Sequence, residues 1–90
     1  MNKNDIVAAV SSSVGLSKAD ATKAVDTVFY NITNSLRNGN EVRLFGFGTF
    51  SVAHRKATLG RNPYTGETIH IPALKRPKFK AGKALKEAVN

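Results

Sequence analysis

The 90-residue sequence has no cysteine and no tryptophan, and its only histidines are His54 and His70. Without cysteine, neither a disulfide framework nor a thiolate metal site can stabilise the fold. Structural zinc sites use four cysteine or histidine ligands, and two histidines do not suffice. The sequence therefore predicts a protein without disulfides, a metal site or another cofactor.

Long apolar runs are also missing. No stretch approaches the roughly 20 apolar residues that a transmembrane helix needs. Near the N-terminus Lys3 is followed by Asp5 and by no signal-peptide-like apolar segment. These absences favour a soluble cytoplasmic protein that does not span a membrane.

The residue patterns of catalytic sites are absent as well. The few carboxylates form no obvious acid–base pair, and no serine lies in a Gly-x-Ser-x-Gly turn. Gly46-Phe47-Gly48 lacks the third glycine and the following helix of a phosphate-binding loop. With no nucleophile, base or metal site, the sequence predicts a protein that is not an enzyme and has no small-molecule substrate.

Acidic residues are scarce and unevenly placed. Lys and Arg total 14 against 6 Asp and Glu, a net charge of +8. Residues 1–40 are nearly neutral, and almost all of the excess positive charge lies in residues 41–90. Such asymmetry indicates a polyanionic partner, either nucleic acid or an anionic membrane surface, although a basic surface can also serve solubility alone.

Hydrophobic periodicity predicts helices first and strands afterwards. Apolar residues recur at helical spacing up to Gly15 and again from Ser17 to Arg37, which predicts a helical hairpin. After Gly39 the period becomes 2, as in strands. Residues 54–71 contain few large apolar groups and a turn at Asn62–Gly66, so they predict a long hairpin that projects from the body. A short helix is predicted over residues 81–90.

Basic residues concentrate on and after this hairpin. The predicted binding residues are Arg55, Lys56, Arg61, Lys75, Arg76, Lys78, Lys80, Lys83 and Lys86. Glu67 is the only acid between Ala53 and Lys86. On strands and a short helix these cations are expected to form one positive surface, whose binding to a polyanion depends strongly on salt.

Pro63, at the predicted hairpin tip, has two interpretations. It is an ordinary turn residue, or it is an apolar wedge that enters a step between base pairs and kinks a duplex. A second set of residues, Phe47, Phe50 and Phe79, is predicted to be core. Because 90 residues bury only a thin core, we expect two chains to share this aromatic cluster.

Four segments of the sequence follow one another in a characteristic order and spacing. The most specific is Gly60-Arg61-Asn62-Pro63 followed by Thr65-Gly66-Glu67, and the others are Gly46–Phe50, Ile71-Pro72-Ala73 and Pro77–Leu85. In these segments the sequence resembles the HU and integration host factor family of bacterial histone-like DNA-binding proteins, most closely HU.

The resemblance implies an α+β fold in a single domain, residues 1–90, that forms an intertwined homodimer. Its expected parts are a helical base (1–39), saddle strands of a three-stranded antiparallel sheet (40–53 and 72–80), a DNA-binding arm (54–71) and a C-terminal helix (81–90).

The resemblance also assigns roles within a largely non-specific, nucleoid-associated protein that bends and compacts double-stranded DNA. Pro63 is the intercalating residue, Arg55, Arg61 and Asn62 contact the minor groove, and the later basic residues contact phosphates. Lys3 contacts a phosphate or pairs with Asp26, and Tyr64 stacks on the DNA or faces solvent. Bent, nicked or flexible DNA is the preferred partner, because it costs less to deform.

Two alternatives remain open from the sequence. The chain is a subunit of an integration-host-factor-like heterodimer with sequence preference, or a basic module for membrane surfaces. The first shares the arms and the wedge, so the sequence separates it poorly from HU. The second requires an amphipathic helix with bulky apolar anchors, and the terminal helix offers only Leu85 and Val89.

Overall fold

The structure is a computed structural model that describes all 90 residues. In chain order its elements are α1 Lys3–Val14, α2 Lys18–Arg37, β1 Val42–Leu44, β2 Gly48–Arg55, β3 Thr58–Arg61, β4 Thr68–Ile71, β5 Leu74–Ala81 and α3 Lys83–Ala88. This order confirms the predicted α+β class. No helix has both the length and the apolarity to cross a bilayer.

The two long helices begin and end where nearby residues form hydrogen bonds with the otherwise unpaired backbone groups of the helix ends. Oδ1 of Asn2 accepts a hydrogen bond from the backbone N–H of Asp5, whose carboxylate accepts one from the N–H of Asn2. Ser17 caps α2 by accepting from the N–H of Asp20. Gly15 ends α1 at φ 76°, in the left-handed region that suits glycine. The helical hairpin therefore follows from signals that are local in sequence.

The core of the single chain is very small. Only 4 of 90 residues are buried: Val7, Ala21 and Val25 between the two helices, and Gly48 in the sheet. A folded chain of this length normally buries about 60% of its unfolded surface. Large apolar side chains that stay exposed include Val28, Phe29, Phe47, Phe79 and Val89.

Strands β1, β2 and β5 form the predicted three-stranded antiparallel sheet, in the order β1-β2-β5. Phe50 of the central strand pairs with Val42 on one side and with Phe79 on the other. Pro77 lies in β5, at an edge of the sheet, where a residue without an N–H group is tolerated.

Strands β3 and β4 continue β2 and β5 as one long hairpin. The first ladder ends with Arg55 opposite Leu74, and the second begins with Thr58 opposite Ile71, in an unchanged register. Pro72, which has no N–H to donate, lies in the gap between the ladders. The alternation of side chains therefore carries over from the body to the arm.

The arm makes the molecule elongated. The radius of gyration is 19.3 Å and the principal extents are 61 × 31 × 26 Å. A compact chain of this length has a radius of gyration of about 12 Å. The hairpin therefore projects from the body, as the low apolar content of residues 54–71 predicts.

Three boundaries differ from the prediction. His54 and Arg55, expected to begin the arm, are the last residues of β2 and pair with β5. This ladder extends to its first interruption, at Pro72, so the second saddle strand begins at Leu74 and not at residue 72. Ala81, expected to begin the terminal helix, ends β5, and α3 starts only at Lys83.

Candidate nucleic-acid interface

The register divides the sheet and the arm into two faces, because paired residues point to the same side and successive residues alternate. One face carries Phe50, Val52, Pro77 and Phe79. Val52 and Pro77 border a depression together with Leu36 of α2, so this face lies toward the helices. We call it the helix face, and the opposite one the basic face.

The basic face carries six exposed cations and no carboxylate along its strands. These are Arg43 on β1, Arg55 on β2, Arg61 on β3 and Arg76, Lys78 and Lys80 on β5. The neighbours of the β5 cations across the ladder are the short side chains Thr49, Ser51 and Ala53. The charged groups therefore stand above a surface that a long, flat partner can approach.

Most of this charge is free to meet an anionic partner. Within the basic face only Arg43 forms a salt bridge, with its Nε 3.4 Å from Oε1 of Glu41. Arg55 donates a long hydrogen bond, 3.4 Å, to the carbonyl oxygen of Pro72 across the gap between the ladders. The three cations of β5 recur at every second residue, about 7 Å apart.

Two predicted binding residues lie on the helix face instead. Lys75 pairs with His54 and borders the depression that also contains Arg37 of α2. Lys56 lies in the gap between the two ladders, and the unchanged register on either side of the gap places it on the helix face as well. The basic residues therefore form two surfaces and not the single surface expected from their positions in the chain.

The tip of the arm is held by its own hydrogen bonds. The backbone N–H of Gly66 donates to the carbonyl oxygen of Asn62, and the N–H of Asn62 donates to that of Glu67, both at 2.8 Å. Oδ1 of Asn62 accepts from the N–H of Tyr64 at 2.8 Å. These bonds occupy Asn62 inside the turn and leave Pro63 and Tyr64 exposed at its end.

Lys3 lies on the helical base, away from the strands. Its Nζ is 2.9 Å from Oδ1 of Asp26, and both side chains are about half exposed. Of the two contacts that the sequence leaves open for Lys3, the free protein makes the ion pair.

The terminal helix lies at the end of the basic face. Lys83 borders the same depression as Arg43 and Thr49, and its Nζ is 3.9 Å from Oε1 of Glu87. Lys86 is exposed on the same short helix. Lys83 therefore extends the positive surface beyond β5.

The predicted aromatic cluster forms within one chain. The ring of Phe79 lies 4.7 Å from that of Phe50 and 5.4 Å from that of Phe47. Gly48 makes this packing possible, because a Cβ atom there would lie 2.5 Å from Cζ of Phe79. The Phe47 and Phe79 rings remain nearly half exposed, so the cluster is open on one side.

Arg43 and His70 are the residues of the basic face that the prediction missed. Arg43 lies between the apolar residues Val42 and Leu44, and this alternation indicates that its side chain points away from the apolar side of the strand. His70 lies between Ile69 and Ile71, a similar alternation, and the register of the two strands pairs it with Leu59 on the arm.

Comparison with known proteins identifies the family. Over residues 1–90 the chain matches the model of the family described as bacterial DNA-binding protein. The chain belongs to this family. Its relatives in the family include DNA-binding protein HRm of Rhizobium meliloti (strain 1021), 60% identical over 90 residues and covering 100% of both chains. DNA-binding protein HU of Geobacillus stearothermophilus is 60% identical over 89 residues, 99% of each chain.

Solved structures of this bacterial DNA-binding protein family share the fold. An Anabaena HU–DNA cocrystal structure matches with a TM-score of 0.84 and 39% identity, over 99% of this chain and 97% of that one. HU from Thermotoga maritima matches with a TM-score of 0.69 and 32% identity over the full length of both. The resemblance to HU that the sequence indicated is confirmed.

Proposed function

We propose that the protein is a histone-like architectural protein that binds double-stranded DNA with little sequence preference and bends and compacts it. The basic face carries this proposal, with six exposed cations and no carboxylate along the sheet and the arm. Cations that meet phosphates release condensed counterions, and this contribution does not depend on base sequence. The Anabaena relative was crystallised with DNA.

The proposed binding unit is an intertwined homodimer. Four buried residues are too few to stabilise a 90-residue chain, and the Phe47 and Phe79 rings present an open aromatic surface. Burying this surface against a second copy enlarges the core. Two arms on one body then reach around the duplex from both sides.

Within this complex the arm follows the minor groove. Pro63 enters a step between base pairs, Arg61 and Arg55 lie along the groove, and Tyr64 contacts the DNA beside the wedge. HU and integration host factor kink DNA by inserting an apolar side chain, and the resemblance to this family supports the same role for Pro63. Unstacking costs a few kcal/mol per step and is offset by the longer contact that a bent duplex allows.

The remaining cations hold the phosphates of the bent duplex. They are Arg76, Lys78 and Lys80 on β5, Arg43 on β1, Lys83 and Lys86 on the terminal helix, and Lys3 on the helical base. Asn62 supports the tip by holding its turn. Lys56 and Lys75, on the helix face, have the smaller share of the binding energy.

Binding to intact, nicked and four-way DNA of equal length, at 50 and 200 mM salt, tests the proposal. Because a protein with six to ten phosphate contacts loses roughly 10³–10⁵-fold in affinity over this range, we expect a loss of that order. Nicked and four-way DNA should bind more tightly than intact DNA, because they are easier to deform. A flat salt response, or equal affinity for all three, would contradict the proposal.

Arg61→Ala should weaken binding to all sequences about equally. In a dimer the change removes two groove-lining cations, so the log–log salt slope should fall by roughly 2. Lys56→Ala is the matched control, since it removes the same charge from the same arm on the opposite face, and should change affinity much less. Equal losses in the two variants would show that the faces are wrongly assigned.

Neither the fold nor these relatives favour the heterodimer alternative. Gel filtration of the pure chain separates the HU-like function from the heterodimer alternative. A stable homodimer supports the HU-like function, whereas a chain that is soluble only with a second partner supports the heterodimer. As a DNA-binding architectural protein without catalytic activity, the chain is proposed to act on the nucleoid in the cytoplasm.

A further inference from the structure

One titratable side chain lies between the two arginines of the arm. His70 pairs with Leu59, and Arg61 lies two residues further along β3, opposite Thr68. His70 is therefore on the basic face, where it is exposed. Direct and diagonal neighbours of an antiparallel pair are about 5–8 Å apart, so the imidazole lies within one side-chain length of Arg61.

The basic face of the arm has a gap in its permanent charge at this point. Arg55 and Arg61 are six residues apart, about 20 Å along the strand. Between them the face presents Ala57 and Leu59 on one strand and Pro72 on the other, together with His70. Histidine is the side chain whose charge changes between pH 5 and 8. A protonated histidine therefore adds a third cation to the basic face of each arm.

We propose that His70 is a further DNA-contacting residue whose contact depends on protonation, so that the arms hold DNA more tightly as the pH falls below neutral. This rests on the proposed function, since DNA supplies the phosphates. The charged groups that share this face with His70 are Arg55 and Arg61. Glu67, the one carboxylate of the arm, lies in the turn at its tip.

A phosphate of bound DNA attracts a protonated imidazole, so DNA binding and proton uptake by this side chain favour each other. The affinity for DNA should therefore rise as the pH falls. Each protonated His70 makes one further phosphate contact, so the affinity should also depend more steeply on salt.

The test measures the affinity of the full-length protein for one intact duplex at pH 5.5 and pH 8, each at 50 and 200 mM salt. One further contact per arm, at a slope of about 0.9 each, makes the loss of affinity between the two salts roughly 12-fold larger at pH 5.5 than at pH 8. His70→Gln should remove this difference. His70→Lys carries a permanent charge, so it should show the larger loss of affinity between the two salt concentrations at both pH values.

His54→Gln is the matched control, because His54 lies on the helix face beside Lys75 and should leave the pH dependence intact. A pH effect that survives in His70→Gln, or that disappears in His54→Gln, overturns the inference. Strong, salt-dependent binding that does not change with pH overturns it as well but leaves the proposed function standing. Absence of binding at either pH overturns both. His70 is exposed, and thermal unfolding of each variant verifies that the fold is unchanged.

Discussion

Replacing Phe79 by alanine is expected to destabilise the protein by about 3–5 kcal/mol and to shift the proposed dimer toward unfolded monomer. Phe79 is the central ring of the aromatic cluster, in contact with both Phe50 and Phe47. In one isolated chain 42% of Phe79 is exposed, and its removal would cost only about 1–2 kcal/mol. The size of the loss therefore reports whether a second chain covers the ring.

Denaturant unfolding at several protein concentrations measures both effects, since the midpoint of an obligate dimer rises with concentration. Tyr64→Ala is a suitable control: it removes an aromatic ring that is 95% exposed at the arm tip, and should change stability by no more than about 0.5 kcal/mol. A Phe79→Ala loss below about 2 kcal/mol that does not vary with concentration would mean that two chains do not share this core.

The helical half of the fold could be predicted because its determinants are local. Asn2 and Asp5 are three residues apart and cap each other, and Ser17 and Asp20 repeat this spacing at α2. Such contacts can be predicted from a single short segment of sequence. The same holds for the arm, whose tip is held by bonds within residues 62–67.

Strand boundaries depend on partners that are distant in sequence. His54 and Arg55 have no local signal that separates them from the arm, and they belong to β2 because β5 pairs with them. Ala81 resembles a helix-forming residue in isolation, yet Gly48 pairs with it and keeps it in the sheet. The sequence alone contains neither pairing, so the boundaries there differed by one or two residues.

The composition of the site was predictable, whereas its division into faces was only partly so. Lys75 and Arg76 are adjacent in the sequence and were therefore predicted to lie on one surface. Successive residues of a strand, however, point to opposite sides. The signal was present in β5, because Lys75 shares its parity with Pro77 and Phe79, which mark the apolar side. For His70 the alternation with Ile69 and Ile71 was a signal of its face, but its position opposite Leu59 and near Arg61 follows only from the register across the turn.

Pro63→Ala is expected to preserve the fold and to reduce the bend of bound DNA strongly. A single inserted wedge kinks a duplex by roughly 20–90°, and a dimer carries two. Without them the basic face still holds phosphates, so binding persists while the bend decreases. Energy transfer between dyes at the two ends of a short duplex measures this directly, and four-way DNA, which is already bent, should bind the variant nearly as well as the wild type.

Both exposed residues of the tip can approach a base step without burying an unsatisfied backbone donor. Pro63 has no N–H, and the N–H of Tyr64 donates to Oδ1 of Asn62. The wedge is assigned to Pro63 by the binding mode of the family. Tyr64→Ala should therefore retain most of the bend. If it abolishes the bend while Pro63→Ala does not, the intercalating group is the phenol ring, and the tip acts by stacking rather than by a proline wedge.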